Sequence, residues 1–365
     1  MRLLWIELRD FRNHRETSLE VPDGLVAVCG ENGEGKTNLL EGVCYLLTLR
    51  SPRATTDGTL VRDGAECAYL RGEVEGLTGK TLVEVEIRRA GANRVQMNRT
   101  PLRRKRELRK NARAVAFGPH DLKVVQGEPG ARRDFLDEGT RSLWPAGEAA
   151  LSAYERVLRQ RNRLLKDWQG PGRPAGLDTW NQELASSGAA VVEDRRRAVE
   201  RIAPGADDEF SRLSGSGLLV RYQPNVAGDE RAFLARLAER EADETVRRTT
   251  LVGPHRDDLE IGVRGLVARG FASYGEAWGA ALSLKLGLGT AVAGEFGEEP
   301  VLLVDDPFSA LDPARRDRVS AGLAGRGQVL VSVADEQDVP SESVAVWEVR
   351  GGEVSVRGGA GDAAQ

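Results

Sequence analysis

Two groups of residues, far apart in the chain, have the types and spacing to handle a nucleoside triphosphate. The first is Gly30-Glu31-Asn32-Gly33-Glu34-Gly35-Lys36-Thr37, a GxxxxGK[ST] run followed by Asn38, with a β-like segment ending at Cys29 before it and a helix-like segment after it. Glycines at these places let backbone N–H groups turn inward around phosphate oxygens, and the start of a helix adds its positive dipole end. Lys36 is placed for the β- and γ-phosphates and Thr37 for Mg²⁺. A Gly-rich turn that binds nothing is the bland reading, and the flanking strand and helix argue against it. The second group is Val301-Leu302-Leu303-Val304-Asp305-Asp306. Four apolar residues ending in two carboxylates describe a central parallel strand that stops at a nucleotide site. Asp305 would then hold Mg²⁺ and Asp306 would polarise the attacking water.

Two further motifs each keep two readings. Ser273-Tyr274-Gly275-Glu276 opens the helical stretch AWGAALSLKLGLGTAVA. SxxE is a capping box, yet a helix start with Ser and Gly at its tip is also an anion site. If a second chain presented its γ-phosphate there, two chains would clamp two nucleotides. Ser309-Ala310-Leu311-Asp312 is either a contact loop beside the site or a helix N-cap before PARR. His120 and His255 sit in Gly-Pro-His turns and read as turn or interface residues, because phosphoryl transfer depends on positioning and charge stabilisation more than on a histidine base.

The elements that must position these residues follow from periodicity. LLWIELRDF and TSLEVPDGLVAVCG are β-like, and NLLEGVCYLLTL has the spacing of a helix burying one face. After residue 65, alternation such as Val83, Val85 and Ile87 against Glu84 and Glu86, with a Gly91-Ala92-Asn93 turn, predicts a small antiparallel sheet with one wet face. From about 123 to 250 the pattern is helical and charged. Breaks at 170–176 and at Pro204-Gly205 leave no helix longer than about 30 Å, too short for a coiled-coil arm. EPVLLVDD, RRDRVSAGLAG and QVLVSV return to strand, helix, strand, and the tail RGGAGDAAQ reads as disordered.

Composition limits the class. With 52 Lys+Arg against 56 Asp+Glu the net charge is −4, so a uniformly basic nucleic-acid wrapper is excluded. The 365 residues suggest two domains with real cores. Apolar runs are too short for a membrane span, and acids stand where a leader would be apolar, which points to the cytoplasm and no membrane partner. Cys29, Cys44 and Cys67 lack CxxC spacing and read as small buried hydrophobes rather than a disulfide or zinc set. Residues 99–113 form a local basic block in an acidic protein; Arg103, Arg104, Lys105, Arg106 and Lys110, with Arg159 and Arg163 on a later helix, are the candidate contacts to nucleic-acid phosphates.

The order of a P-loop, a late S-x-G-E helix start, then hhhhDD and SALD is the layout of ABC-type ATPases split by an insertion. More closely, the chain resembles the RecF family of DNA replication and repair proteins. The resemblance is carried by FRNH at 11–14, GENGEGKTNLLEGVCYL at 30–46, RSPR at 50–53, DLKVVQGEPGARRDFLDE at 121–138, YERVLRQRNRLLK at 154–166, LVGPHRDDLE at 251–260 and FASYGEAWGAALSLKLG followed by VLLVDDPFSALDPARR. It spans residues 1 to about 350. Tyr274, Glu276 and Trp278 depart from the family's Gln-rich signature, Pro307 replaces an aliphatic residue, and no His follows QVLVSV. Gln126 and the turn at His120 are both candidates for the Q-loop.

The resemblance implies an α/β fold, a P-loop ABC-type ATPase head with a mixed-sheet lobe (1–122 and 297–365) and a mainly helical lobe (123–296) carrying the signature. It implies Arg12 and Asn13 near the nucleotide, as against plain solvent exposure, with Ser273, Gly275 and Glu276 as the contact in trans and Ser309 and Asp312 as the D-loop. It also implies ATP with Mg²⁺, an ATP-dependent homodimer, slow hydrolysis, duplex DNA near single-strand gaps, and RecO and RecR as partners in loading RecA. The rival readings are a transporter-type ATPase subunit and a nucleotide-dependent scaffold with negligible turnover.

Overall fold

A computed structural model describes every residue except 171, 310 and 359–365. Fifteen strands and ten α-helices alternate through these residues. The N-terminal part contains β1 (Arg2–Phe11), β2 (His14–Glu20), β3 (Leu25–Cys29), α1 (Lys36–Thr48), β4 (Cys67–Gly76), β5 (Gly79–Arg88), β6 (Arg94–Met97), β7 (Thr100–Pro101), α2 (Lys105–Leu108) and β8 (Ala114–Phe117). The middle holds α3 (Leu122–Gln126), α4 (Pro129–Leu143), α5 (Gly147–Asp167), α6 (Leu177–Ser214), β9 (Leu218–Gln223), α7 (Glu230–Arg247), β10 (Asp258–Val263), β11 (Leu266–Val267), α8 (Ala268–Phe271) and α9 (Tyr274–Phe296). The chain ends with β12 (Val301–Asp305), α10 (Pro313–Ala324), β13 (Val329–Val333), β14 (Ala345–Arg350) and β15 (Glu353–Gly358).

Two six-stranded sheets enclose α1. The antiparallel one, ordered β2-β1-β4-β5-β6-β7, includes the alternating segments after residue 65 and extends them with the first two strands. The other, ordered β15-β14-β3-β13-β12-β8, is parallel except for β15. Its central strands are buried on both faces, and alternate residues divide between two cores. Val26, Val28, Val301 and Leu303 face the antiparallel sheet and α1, which buries ten of its thirteen residues. Ala27, Leu302, Val304 and Val331 face the helices, where Trp278, Ala281 and Leu284 of α9 meet Phe135 and Leu136 of α4 and Ile202 and Phe210 of α6. Fifteen of the 23 residues of α9 are buried, so it is apolar on nearly every side.

Three expectations need correction. Pro204-Gly205 does not end a helix: α6 runs 38 residues, about 57 Å, straight through them. Packing overrides the missing proline donor, because Ala198 and Ile202 bury against α4 and Ala206 and Phe210 against α9. The two helices touch at Gly287, where a Cβ would stand 2.5 Å from the Ala206 nitrogen. Of the tail expected to be disordered, Arg357 lies in β15 and pairs with Glu348 and Glu336, while 359–365 lie outside the described residues. Among the cysteines only Cys44 is buried, with burial pushing its thiol up to about 12; Cys29 and Cys67 are half-buried. No helix among the described residues is long and apolar enough to cross a membrane.

Candidate functional site

The GxxxxGKT run joins β3 to α1 as its spacing predicts. At Gly35 φ is +121°, and a Cβ would meet the Asn13 side chain at 2.6 Å, so only glycine fits. Lys36 Nζ lies within the loop and donates to the carbonyls of Gly30 at 2.5 Å and Glu31 at 2.9 Å. Thr37 Oγ1 donates to both oxygens of Asp305 at 2.9 Å, across 268 residues of sequence. Ser332 of β13, fully buried, donates from Oγ to Asp305 at 2.6 Å and accepts the Asp306 N–H at 2.9 Å. The pairing of Asp305 with Ser332 across β12 and β13 sets this contact. Sequence reasoning missed Ser332 by looking for a histidine after that strand rather than at the polar residue inside its apolar run.

Asp306 is separated from Asp305 by a backbone turn rather than by strand alternation. β12 ends at Asp305, and Asp306 takes φ +50°, a costly conformation for a non-glycine residue. Burial, and then the adjacent Asp305 carboxylate, raise its carboxyl above the ordinary range. Asp305 and Thr37 present hard oxygen donors at one point, which fits a Mg²⁺ ion completed by water and phosphate oxygens.

Residues 12–14 brace the loop. Asn13 Nδ2 donates to the Glu34 carbonyl and its Oδ1 accepts from Asn38, each at 2.8 Å. His14, fully buried, has Nε2 at 3.1 Å from the Gly35 carbonyl and Nδ1 at 3.1 Å from Thr17 Oγ1; burial depresses its basicity. Arg12 is held on Glu41 by two hydrogen bonds at 2.9 and 3.0 Å, with Arg53 and Ser51 on the same carboxylate. Burial opposes the Glu41 charge, but these donors outweigh it and hold the carboxyl below its usual range. From the far end of the chain, the β14–β15 turn closes on the loop, with Gly352 N–H donating to the Glu34 carbonyl at 2.9 Å and Gly351 N–H to its carboxylate.

At α9 the capping box is formed. Glu276 N–H donates to Ser273 Oγ at 3.3 Å, and Ser273 N–H to Glu276 Oε2 at 2.9 Å. The cap stands at an exposed helix end beside exposed Tyr274 and Phe271. Among the described residues no hydrogen bond joins Ser273, Gly275 or Glu276 to the P-loop. One turn on, buried Trp278 donates from its indole N–H to the Pro307 carbonyl at 3.0 Å, linking this helix to the turn after Asp306. Asp312 caps α10 by accepting from Arg315 N–H at 3.0 Å, and Ser309 Oγ is 3.5 Å from the Asp306 carbonyl; Ala310 lies outside the described residues. His120 lines a small pocket with Thr37, Glu41 and Asp305, whereas Gln126 does not. His255 instead bridges Tyr154 and the Thr250 carbonyl within the helical region.

The basic block divides. Arg103, Arg104, Lys105 and Lys110 are exposed, Arg106 is half-buried, and none of the five forms an ion pair among the described residues. Arg109 and Arg113 point inward and pair with Glu148 and Glu298. On α5, Arg159 and Arg163 are exposed, each facing a carboxylate one turn away.

A parallel sheet whose P-loop enters α1 beside a carboxylate at the end of the neighbouring-but-one strand defines a P-loop ATPase head of the ABC and SMC class. A family profile described as an AAA domain matches residues 6–125. The DNA replication and repair protein RecF of Acidothermus cellulolyticus is 41% identical over 93% of this chain and 96% of its own length; that of Frankia alni is 40% identical over 97% and 99%. The chain belongs to the RecF family. A solved structure of the recombination mediator protein RecF with ATP superposes with a TM-score of 0.89 at 28% identity, covering 97% of each chain. An Smc head domain derived from Pyrococcus furiosus, at 16% identity and a TM-score of 0.55, shares the fold alone.

Proposed function

We propose that this chain binds ATP with Mg²⁺ at the P-loop, dimerises on it, holds duplex DNA near single-strand gaps, and acts in recombinational repair with RecO and RecR to load RecA. What carries the reading is the contact of Thr37 with Asp305 beside Lys36, in a fold matched along nearly its whole length by a RecF bound to ATP. Lys36 would exchange its two backbone carbonyls for phosphate oxygens, and Thr37 and Asp305 would hold the metal, which supplies charge neutralisation on the phosphates. Asp306 would orient the attacking water, aided by the Ser332 hydrogen bonds that set the turn. Ser273, exposed at the tip of α9, with half-buried Gly275 and Glu276 beside it, would meet the nucleotide of a second copy. Slow turnover is expected from a short carboxylate at position 306. Arg103, Arg104, Lys105, Arg106 and Lys110, with Arg159 and Arg163, would contact DNA phosphates without reading sequence.

Sedimentation with ATP, ADP or no nucleotide, each with and without plain duplex DNA, tests this. An ATP-specific dimer that retains DNA is the expected result, and Lys36→Ala should abolish both. DNA retention indifferent to nucleotide would overturn the reading. ATP-dependent dimers that ignore DNA would favour a transporter-type subunit.

A further inference from the structure

Beside the C-terminal half of α1, a cavity of about 780 Å³ opens between the 50–55 loop, the 109–114 segment and α4. Its walls carry many cations, four of which are neutralised locally. Arg53 lies on Glu41 at 2.6 Å, Arg109 on Glu148 at 3.3 Å, Arg113 on Glu298, and Lys285 on Glu138 and Asp121 at 2.6 and 3.2 Å. Two are left over. Arg50 is exposed to the cavity and forms no ion pair among the described residues. Arg141 has a side chain only 15% exposed, and its nearest carboxylate, Asp137 at 3.8 Å, is already engaged by Arg195 at 2.7 Å. Asp134 is the one other carboxylate in the lining without an ion pair among the described residues.

A guanidinium taken out of water without a hydrogen-bonded anion is expensive, so the arrangement is incomplete as it stands. Arg50, Arg109 and Arg141 also act on one another. Burial first, and then the neighbouring guanidiniums, lower the basicity of Arg109 and Arg141. Planar guanidinium forks match tetrahedral oxyanions, and the volume suits a small ligand. Cys44, Pro52, Arg53, Ala116 and His120 line both this cavity and the small pocket at Thr37 and Asp305, so the two spaces share a wall.

We propose that this cavity is a second anion site, distinct from the P-loop, which takes a phosphate or phosphate monoester on Arg50 and Arg141. The anion has two conceivable sources, free solution or the γ-phosphate released through the shared wall. The site itself does not depend on the nucleotide reading.

The test uses full-length Lys36→Ala protein, so that the P-loop contributes no competing phosphate site. Calorimetric titration with inorganic phosphate should give one site per chain, weakened about tenfold or more by Arg50→Gln or Arg141→Gln, as loss of a charge-assisted pair predicts. Absence of phosphate binding, or binding unchanged by both substitutions, overturns the proposal. Arg50 is exposed and unpaired, so Arg50→Gln decides the matter even if Arg141→Gln fails to fold. A second arm, which rests on the ATPase reading, compares bond cleavage by acid quench with phosphate appearance on a fluorescent sensor, in one turnover of Arg50→Gln and of unsubstituted protein. A lag altered by Arg50→Gln assigns the anion to the nucleotide site, and an unaltered lag assigns it to solution. Either result upholds the site that the titration establishes.

Discussion

Two adjacent carboxylates are given different surroundings by one backbone turn. Asp305 is tied to Thr37 and Ser332, whereas Asp306 follows a backbone turn at φ +50° and has its carboxyl held above the ordinary range by burial and by Asp305. Asp306→Asn should therefore leave ATP binding and dimer closure intact while single-turnover hydrolysis falls by about 10² or more, the loss expected for a positioned base. Asp305→Asn should instead weaken Mg²⁺-dependent binding. Hydrolysis by an Asp306→Asn protein at the unsubstituted rate would place the water elsewhere. His255 offers a residue-scale prediction about stability. Burial lowers its pKa from 6.5 to about 4, so the unfolded chain binds the extra proton. Stability is then full above about pH 6.5 and is lost as pH falls toward 4, by on the order of 3 kcal/mol. Urea midpoints between pH 7 and pH 4.5 should show this slope, and His255→Gln, which has no titrating ring, should flatten it.

At the scale of elements, α9 connects the exposed Ser273 cap to the turn after Asp306 through Trp278. Removing the indole donor by Trp278→Phe strands the Pro307 carbonyl in the core and should cost about 1–3 kcal/mol. If that hydrogen bond also holds the turn after Asp306, hydrolysis should fall while ATP affinity stays constant, a split that a purely structural residue would not produce. Trp278 and Pro307 are both departures from the family pattern, and they contact each other. A single sequence displays the two oddities but not their pairing. The same limit explains α6. Pro204-Gly205 is a valid local stop signal, and only the close approach of Gly287 to Ala206 shows why the helix continues. Gly287→Ala forces a methyl onto that backbone and should destabilise by about 1–3 kcal/mol, measured by urea unfolding. Signals that live in one segment, such as the P-loop, the apolar strand before the Asp pair and the alternation of β5, were legible in advance. Those that depend on a partner segment were not, including Ser332, the inward turn of Arg109 and Arg113, and the Arg12 contact with Glu41.

At the scale of the whole molecule, the proposed dimer turns on an end of α9 that is satisfied within its own chain. Ser273→Arg adds bulk and charge at an exposed tip, so it should spare ATP binding by the monomer while preventing the ATP dimer and its hydrolysis, read by sedimentation and calorimetry together. Loss of a mere cap would cost only about 1 kcal/mol. Normal ATP-driven dimerisation of that protein would leave Ser273 as a cap and nothing more.

The strand order β15-β14-β3-β13-β12-β8 places β3, one of the first strands made, between two of the last. Neither hydrogen-bonded neighbour of β3 exists until the ribosome has passed residues 329–350, and the turn that latches Glu34 comes later still. The nascent chain must carry the apolar run Leu25–Cys29 unpaired through most of its own synthesis. Such long-range closure is slow and leaves an apolar, aggregation-prone segment exposed until its partners are made. It also means that a chain broken off before β13 and β14 cannot assemble a phosphate cradle, so prematurely terminated copies cannot compete for nucleotide with finished ones.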